Sequence, residues 1–188
     1  MAHSDEPRAT PRFVRTVVLS LVLGVALLPG CGYRLVHGDG RVDGARTVAI
    51  ETLQNDSTLP GAALLVTSAL RKEFLRRGQL RLVADPKSAD LVVQGRLLPV
   101  QISARSFSSV VLALEYSVRM TIALEVRRRD GTEVPIDSGS LTESEIYLAS
   151  PDVEAGRKNR EEAMRRISMV LAGRFLDSLY IENAEGNG

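Results

Sequence analysis

From Leu112 to Val126 every second residue is apolar: Leu112, Leu114, Tyr116, Val118, Met120, Ile122, Leu124 and Val126. Glu115, Ser117, Arg119, Thr121, Glu125 and Arg127 fall between or just beyond them. A period of two sends successive side chains to opposite faces, so this stretch predicts a strand with one buried and one wet face. It exceeds the usual five or six residues and must curve or run past the sheet that it joins. Asp130-Gly131 is a type I′ hairpin signal. The return strand is expected from about Val134 to Leu148, less buried because serines stand at 138, 140 and 144.

Two stretches carry the helical period instead. Ala63, Val66, Leu70 and Phe74 form one apolar stripe on a helix that runs to about Arg77, with Gly78 as C-cap. The Asn55–Pro60 cluster supplies turn and N-cap residues ahead of it. Met164, Ile167, Leu171, Phe175 and Leu179 form the second stripe, on a helix opened by Ser150 as N-cap and Pro151 as its first residue. Shorter strands are expected at Thr47–Leu53, Leu80–Val83 and Ala89–Ile102, where Gly95 and Pro99 suggest a bulge or an edge position. The order is β-α-β-β-β-β-α. Two striped helices and one mostly antiparallel sheet make an α+β fold, a two-layer sandwich with both helices packed on one face.

The first thirty residues follow neither period. Val17 to Leu28 carry no charge and stand behind Arg8, Arg12 and Arg15. A bilayer-spanning helix needs about 20 apolar residues, whereas this length and its basic flank suit a secretory signal. Leu28-Pro29-Gly30-Cys31 then has the form of a bacterial lipobox, with an aliphatic residue three before the cysteine and a small one just before it. The Cys31 thiol would accept a diacylglyceryl group, and several acyl chains at about 0.8 kcal/mol per buried methylene give stable anchoring. Gly32 stands where an inner-membrane retention signal would present Asp, which favours the outer membrane. The expected division is residues 1–30 as lipoprotein signal peptide, 31–46 as a glycine-rich lipidated tether, 47–182 as the folded domain and 183–188 as a disordered tail.

Composition changes this picture little. The chain has 188 residues, 44% hydrophobic and 25% charged, as one folded domain would. Removing Arg8, Arg12, Arg15, Asp5 and Glu6 with the signal takes 24 basic and 23 acidic residues to 21 of each, so no global charge points to nucleic acid. A single cysteine excludes a disulfide within the chain and a cysteine-based zinc site. The mature chain has one histidine, His37, and no HExxH, GxSxG or P-loop pattern, so neither enzyme, metal nor cofactor is expected. Glu161 and Glu162 lie among Arg157, Lys158, Arg160, Arg165 and Arg166, which reads as a solvated helix face. The densest positive feature outside a helix is Arg127-Arg128-Arg129 at the hairpin tip. Charge there discourages edge pairing, and the guanidinium fork also suits phosphate. Arg105, in a polar loop from Ser103 to Ser109, and Arg96 and Arg119 on strands would extend such a surface.

Cys31-Gly-Tyr-Arg-Leu35 directly after the lipobox, Thr47-Val-Ala-Ile50 leading to Asn55, and Ala89-Asp-Leu-Val-Val-Gln-Gly95 after a helix resemble the LPS-assembly lipoprotein family LptE. The resemblance implies a lipoprotein on the periplasmic side of the outer membrane, without catalysis. Such a protein plugs the β-barrel LptD, binds lipopolysaccharide (LPS) and assists its delivery to the cell surface. Cys31 carries over as the lipidation site. Arg127, Arg128, Arg129 and Arg105 are LPS candidates from charge alone. An alternative is a lipid-anchored regulator of a peptidoglycan synthase or secretion channel, whose small α/β domains share this order of elements. A lipid-anchored hydrolase is a third class.

Overall fold

A computed structural model of the chain describes residues 42, 44–107, 113–136 and 141–185. In chain order its elements are β1 (Thr47–Ile50), β2 (Gln54–Asn55), α1 (Ala62–Arg77), β3 (Arg81–Leu82), β4 (Leu91–Leu97), β5 (Gln101–Phe107), β6 (Ala113–Arg128), β7 (Glu133–Val134), β8 (Thr142–Leu148) and α2 (Val153–Glu185), with a 3₁₀ turn at Pro86–Ser88.

The alternating stretch is a single strand of 16 residues, β6, and the antiparallel part of the sheet is built around it. Its first half pairs with β5 on one edge and β8 on the other, and its second half with β4 and β7. The register of β4 on β6 slips by one residue before β5 begins, between Leu97↔Ile122 and Gln101↔Arg119. Pro99 therefore breaks the expected Ala89–Ile102 strand in two, since it has no N–H to give to the ladder. Beyond β4 the sheet is parallel, in the order β3-β1-β4, with β2 also on β4. The α+β architecture matches the sequence reading, with this parallel flank added to a mostly antiparallel sheet.

Val118, Met120, Ile122, Leu124 and Val126 are all buried beneath the helices, as are both predicted helix stripes in full. The core is one cluster of buried residues from Val42 to Leu179, so this stretch carries its own core. Val42 and Ala45, at the end of the expected tether, are part of it. The helix α1 ends as predicted, with Gly78 at φ 65° donating its N–H to Phe74 O. It begins differently: Gly61 precedes it without a side-chain cap, and Asn55 instead closes a local turn, accepting from Ser57 and donating to Leu59 O. At α2 the cap is Asp152, whose Oδ1 accepts from Glu154 N and Ala155 N, while Ser150 Oγ accepts from Asp152 N. The helix continues to Glu185, beyond the Asn183 at which fraying was expected.

Charge joins the helices where α1 ends. Arg77 pairs with Glu73 at 2.9 Å and Asp177 at 2.7 Å and donates to Gly173 O, while Arg76 also pairs with Glu73. The Arg76 guanidinium, with help from Arg77 and against the effect of burial, holds the Glu73 carboxyl at about 2 instead of the usual 4.5. A depressed carboxylate contributes stability that is complete above its unfolded value and is lost as pH falls through its folded one. Thermal unfolding of the protein is therefore expected to move to lower temperature between pH 4.5 and about 2, and more steeply than that of Glu73→Gln. Parallel pH profiles for the two proteins would remove this assignment.

Candidate functional site

The turn that joins β6 to β7 carries the three consecutive arginines. Gly131 N donates to Arg128 O at 2.9 Å and Arg128 N to Thr132 O at 2.8 Å, with Gly131 at φ 87°. This is a three-residue loop whose last position is left-handed, the form that commonly ends in a bulge, and not the two-residue type I′ turn expected from Asp130-Gly131. Asp130 Oδ1 braces it by accepting from Thr132 N and Oγ1, which lowers the Asp130 pKa.

The three guanidinium groups do not form one patch. Arg127 lies on the open face of the sheet and pairs with Glu125 at 3.1 Å. Arg128 belongs to the opposite face by strand alternation and reaches Thr132 Oγ1 at 3.4 Å. Arg129 turns back onto the start of β4 and donates to Ala89 O, Ser88 O and Asp90 Oδ1. Arg105 is not in a loop but on the edge strand β5, which pairs with the other half of β6, roughly 40 Å from the hairpin at about 3.3 Å per residue. Arg96 and Arg119 share the open face with Arg127, and Arg96 sits 3.6 Å from Asp56. Cys31 and His37 lie outside the described residues.

Asp90 explains why Arg129 is held. Its Oδ2 accepts from Thr47 Oγ1 at 2.7 Å and from the backbone N–H of Arg46 and Thr47 at 3.0 Å, and Asp90 N donates to Thr47 Oγ1 in return. The Thr47 hydroxyl, then the Arg46 N–H, keep the Asp90 carboxyl below the usual range, with Arg129 adding to the effect. One carboxylate thus ties the entering chain, the start of β4 and the hairpin together.

A second feature lies at the other end of β6. The helix α1 packs over β1, β3 and β4, and α2 over β8 and β6, so among the described residues neither helix packs closely on β5. A groove of about 790 Å³ opens there, lined by Ile102, Leu114, Tyr116, Tyr147, Val153 and Arg160 among others. Tyr116 and Tyr147 are directly opposed across β6 and β8, with rings stacked 5.6 Å apart at 19°. Arg160 lines the same groove as Tyr147, and burial raises that phenol's pKa against the opposing charge of Arg160. Sequence reading did not identify this groove. The signal was present in β6, whose apolar stripe runs on from its buried part, Val118 to Val126, to the exposed Leu114.

No curated protein matches the chain in sequence. Among solved structures, rare lipoprotein B from Shewanella oneidensis is 16% identical, with 73% of this chain and 100% of that one covered and a TM-score of 0.52, which supports the fold. Lipoprotein B from Nitrosomonas europaea is 14% identical over 73% of this chain and 85% of that one, with a TM-score of 0.49. The family LptE, described as lipopolysaccharide-assembly, matches residues 45–179, from the entry of the chain into the domain to the last buried leucine of α2. The chain therefore belongs to the LptE family of lipopolysaccharide-assembly proteins.

Proposed function

We propose that the protein is anchored in the outer membrane through acylated Cys31, faces the periplasm, forms a complex with the LptD β-barrel and binds LPS during its assembly at the cell surface. The family match over residues 45–179 carries this reading. A wide barrel leaves an aqueous lumen, and a domain with balanced charge and a polar open sheet face suits such a place as a plug. Arg127, Arg128 and Arg105 offer guanidinium groups to LPS phosphates, and Arg129 combines that role with fixing the hairpin to Asp90.

Co-purification tests the complex. An outer-membrane barrel retained by the detergent-extracted protein supports it, whereas a peptidoglycan synthase or a secretion channel in its place would favour a regulator. Cys31→Ser is expected to move the protein out of the acylated membrane fraction, as read by metabolic labelling with palmitate. Arg127→Ala with Arg128→Ala, which spares the Asp90 contacts, is expected to weaken binding to purified LPS several-fold. Unchanged affinity would remove the hairpin from the LPS surface.

A further inference from the structure

We infer that the groove over β5 and the first half of β6 is a subsite for one acyl chain of LPS, with Arg160 receiving the adjacent phosphate. The inference rests on the LPS reading above for the identity of the amphiphile, and on the groove itself for its chemistry.

The walls are apolar and open. Ile102 is 40% exposed, Leu114 50% and Val153 87%, while the continuation of the same β6 stripe from Val118 to Val126 is buried. Side chains of that kind beside a stacked tyrosine pair form a contiguous apolar surface, which a soluble domain seldom leaves without a use. Its volume, about 790 Å³, falls in the range of small-molecule sites, roughly 300–1,000 Å³. Such sites are lined by apolar and aromatic groups with a few polar ones that fix orientation.

Charge selects the head group. Of the five arginines of α2, Arg157 pairs with Glu154 and Glu161, Arg165 with Glu161 and Glu162, Arg166 with Glu145 and Glu162, and Arg174 with Glu143. Arg160 has no carboxylate ion pair among the described residues, and it lines the groove together with Tyr147. A half-buried guanidinium against apolar walls is poorly compensated, and a phosphate would complete it with charge-assisted hydrogen bonds. An acyl chain and one phosphate therefore match the apolar walls and the arginine of α2 that no described carboxylate pairs.

The chain from Gly32 onward, which carries the whole core, has no tryptophan and four tyrosines, two of them stacked in the groove, so tyrosine emission reports occupancy. Alkyl phosphates of eight, ten and twelve carbons serve as probes below their micellar concentrations. Affinity is expected to rise about fourfold per methylene, from the transfer free energy of that group. Arg160→Gln is expected to weaken dodecyl phosphate about tenfold and leave dodecanol unchanged. Leu114→Glu, at an exposed position, is expected to abolish binding of both with an unchanged unfolding midpoint. Equal affinity of wild type for dodecyl phosphate and dodecanol, or full binding by Leu114→Glu, overturns the subsite. Displacement of dodecyl phosphate by purified LPS but not by phosphatidylglycerol supports LPS as the source, and equal displacement by both overturns it. Wild type and Leu114→Glu binding LPS equally well would overturn the groove while leaving the family function in place; LPS failing to bind wild type at all would overturn both.

Discussion

Gly95→Val is expected to lower the thermal unfolding midpoint by roughly 10 °C, or to prevent folding. Gly95 lies in the middle of β4, paired with Leu124 of β6 in unbroken register, so it marks neither the bulge nor the edge that its sequence context suggested. A β-carbon there would stand 2.1 Å from the carbonyl oxygen of Ala123 and 2.9 Å from the α-carbon of Leu124. Both are backbone atoms of the central strand and cannot turn aside as a side chain would. Overpacking typically costs 1–3 kcal/mol, and a clash with two backbone atoms of the central strand should reach or exceed about 3 kcal/mol, several degrees for each kcal/mol in a domain of this size. Gly173 provides the contrast: a β-carbon at that position of α2 meets nothing within 4 Å. Gly173→Ala should therefore raise stability by about 0.5–1 kcal/mol through helix propensity. Calorimetry on the two variants checks both signs, and a midpoint for Gly95→Val within a degree or two of wild type would contradict the packing account.

Phe175→Ala is expected to remove about 3–5 kcal/mol, a large part of the stability of a small domain. Phe175 is fully buried and meets Phe74 of α1 with ring centroids 6.3 Å apart and planes tilted at 57°. This contact joins the helical layer, with the Arg77 ion pairs beside it at the surface. Truncation leaves a cavity among side chains held by two helices and the sheet, which can close only in part. Urea unfolding should show a lower midpoint with an unchanged slope, because the area exposed on unfolding scarcely changes. A loss below 1 kcal/mol would mean that the layers repack.

The elements legible in the sequence are those set by one long periodic pattern. Both helix stripes and the buried face of β6 were readable because each apolar side chain there packs into a single core. Strand ends were less legible. The residues expected as one strand from Val134 to Leu148 include β7 and β8, which pair with different halves of β6, and that division depends on partners distant in sequence. The parallel pairing of β1 with β3 and β4 is equally nonlocal. Helix caps moved by a residue or two because several polar residues competed for each cap and local turns took some of them, as Asn55 and Ser150 show. At the candidate site Arg127, Arg128 and Arg129 read in sequence as one cluster. Alternation then separated Arg127 from Arg128, and Asp90, nearly forty residues earlier, drew Arg129 aside. The groove was hidden for a related reason: it lies beyond the part of β6 that is buried, and the periodicity of a strand does not show where that part ends.

The Asp90 contacts have a mechanical consequence. Arg46, Thr47 and Arg129 meet at that carboxylate, so the chain enters the domain beside the hairpin end of β6. Tyr116 stands roughly 40 Å away along the same strand. A pull on the chain ahead of Thr47 would therefore reach the domain at the hairpin end of β6, with the stacked tyrosines far along the strand from that point. Only a change in the strand itself would alter the span between the two.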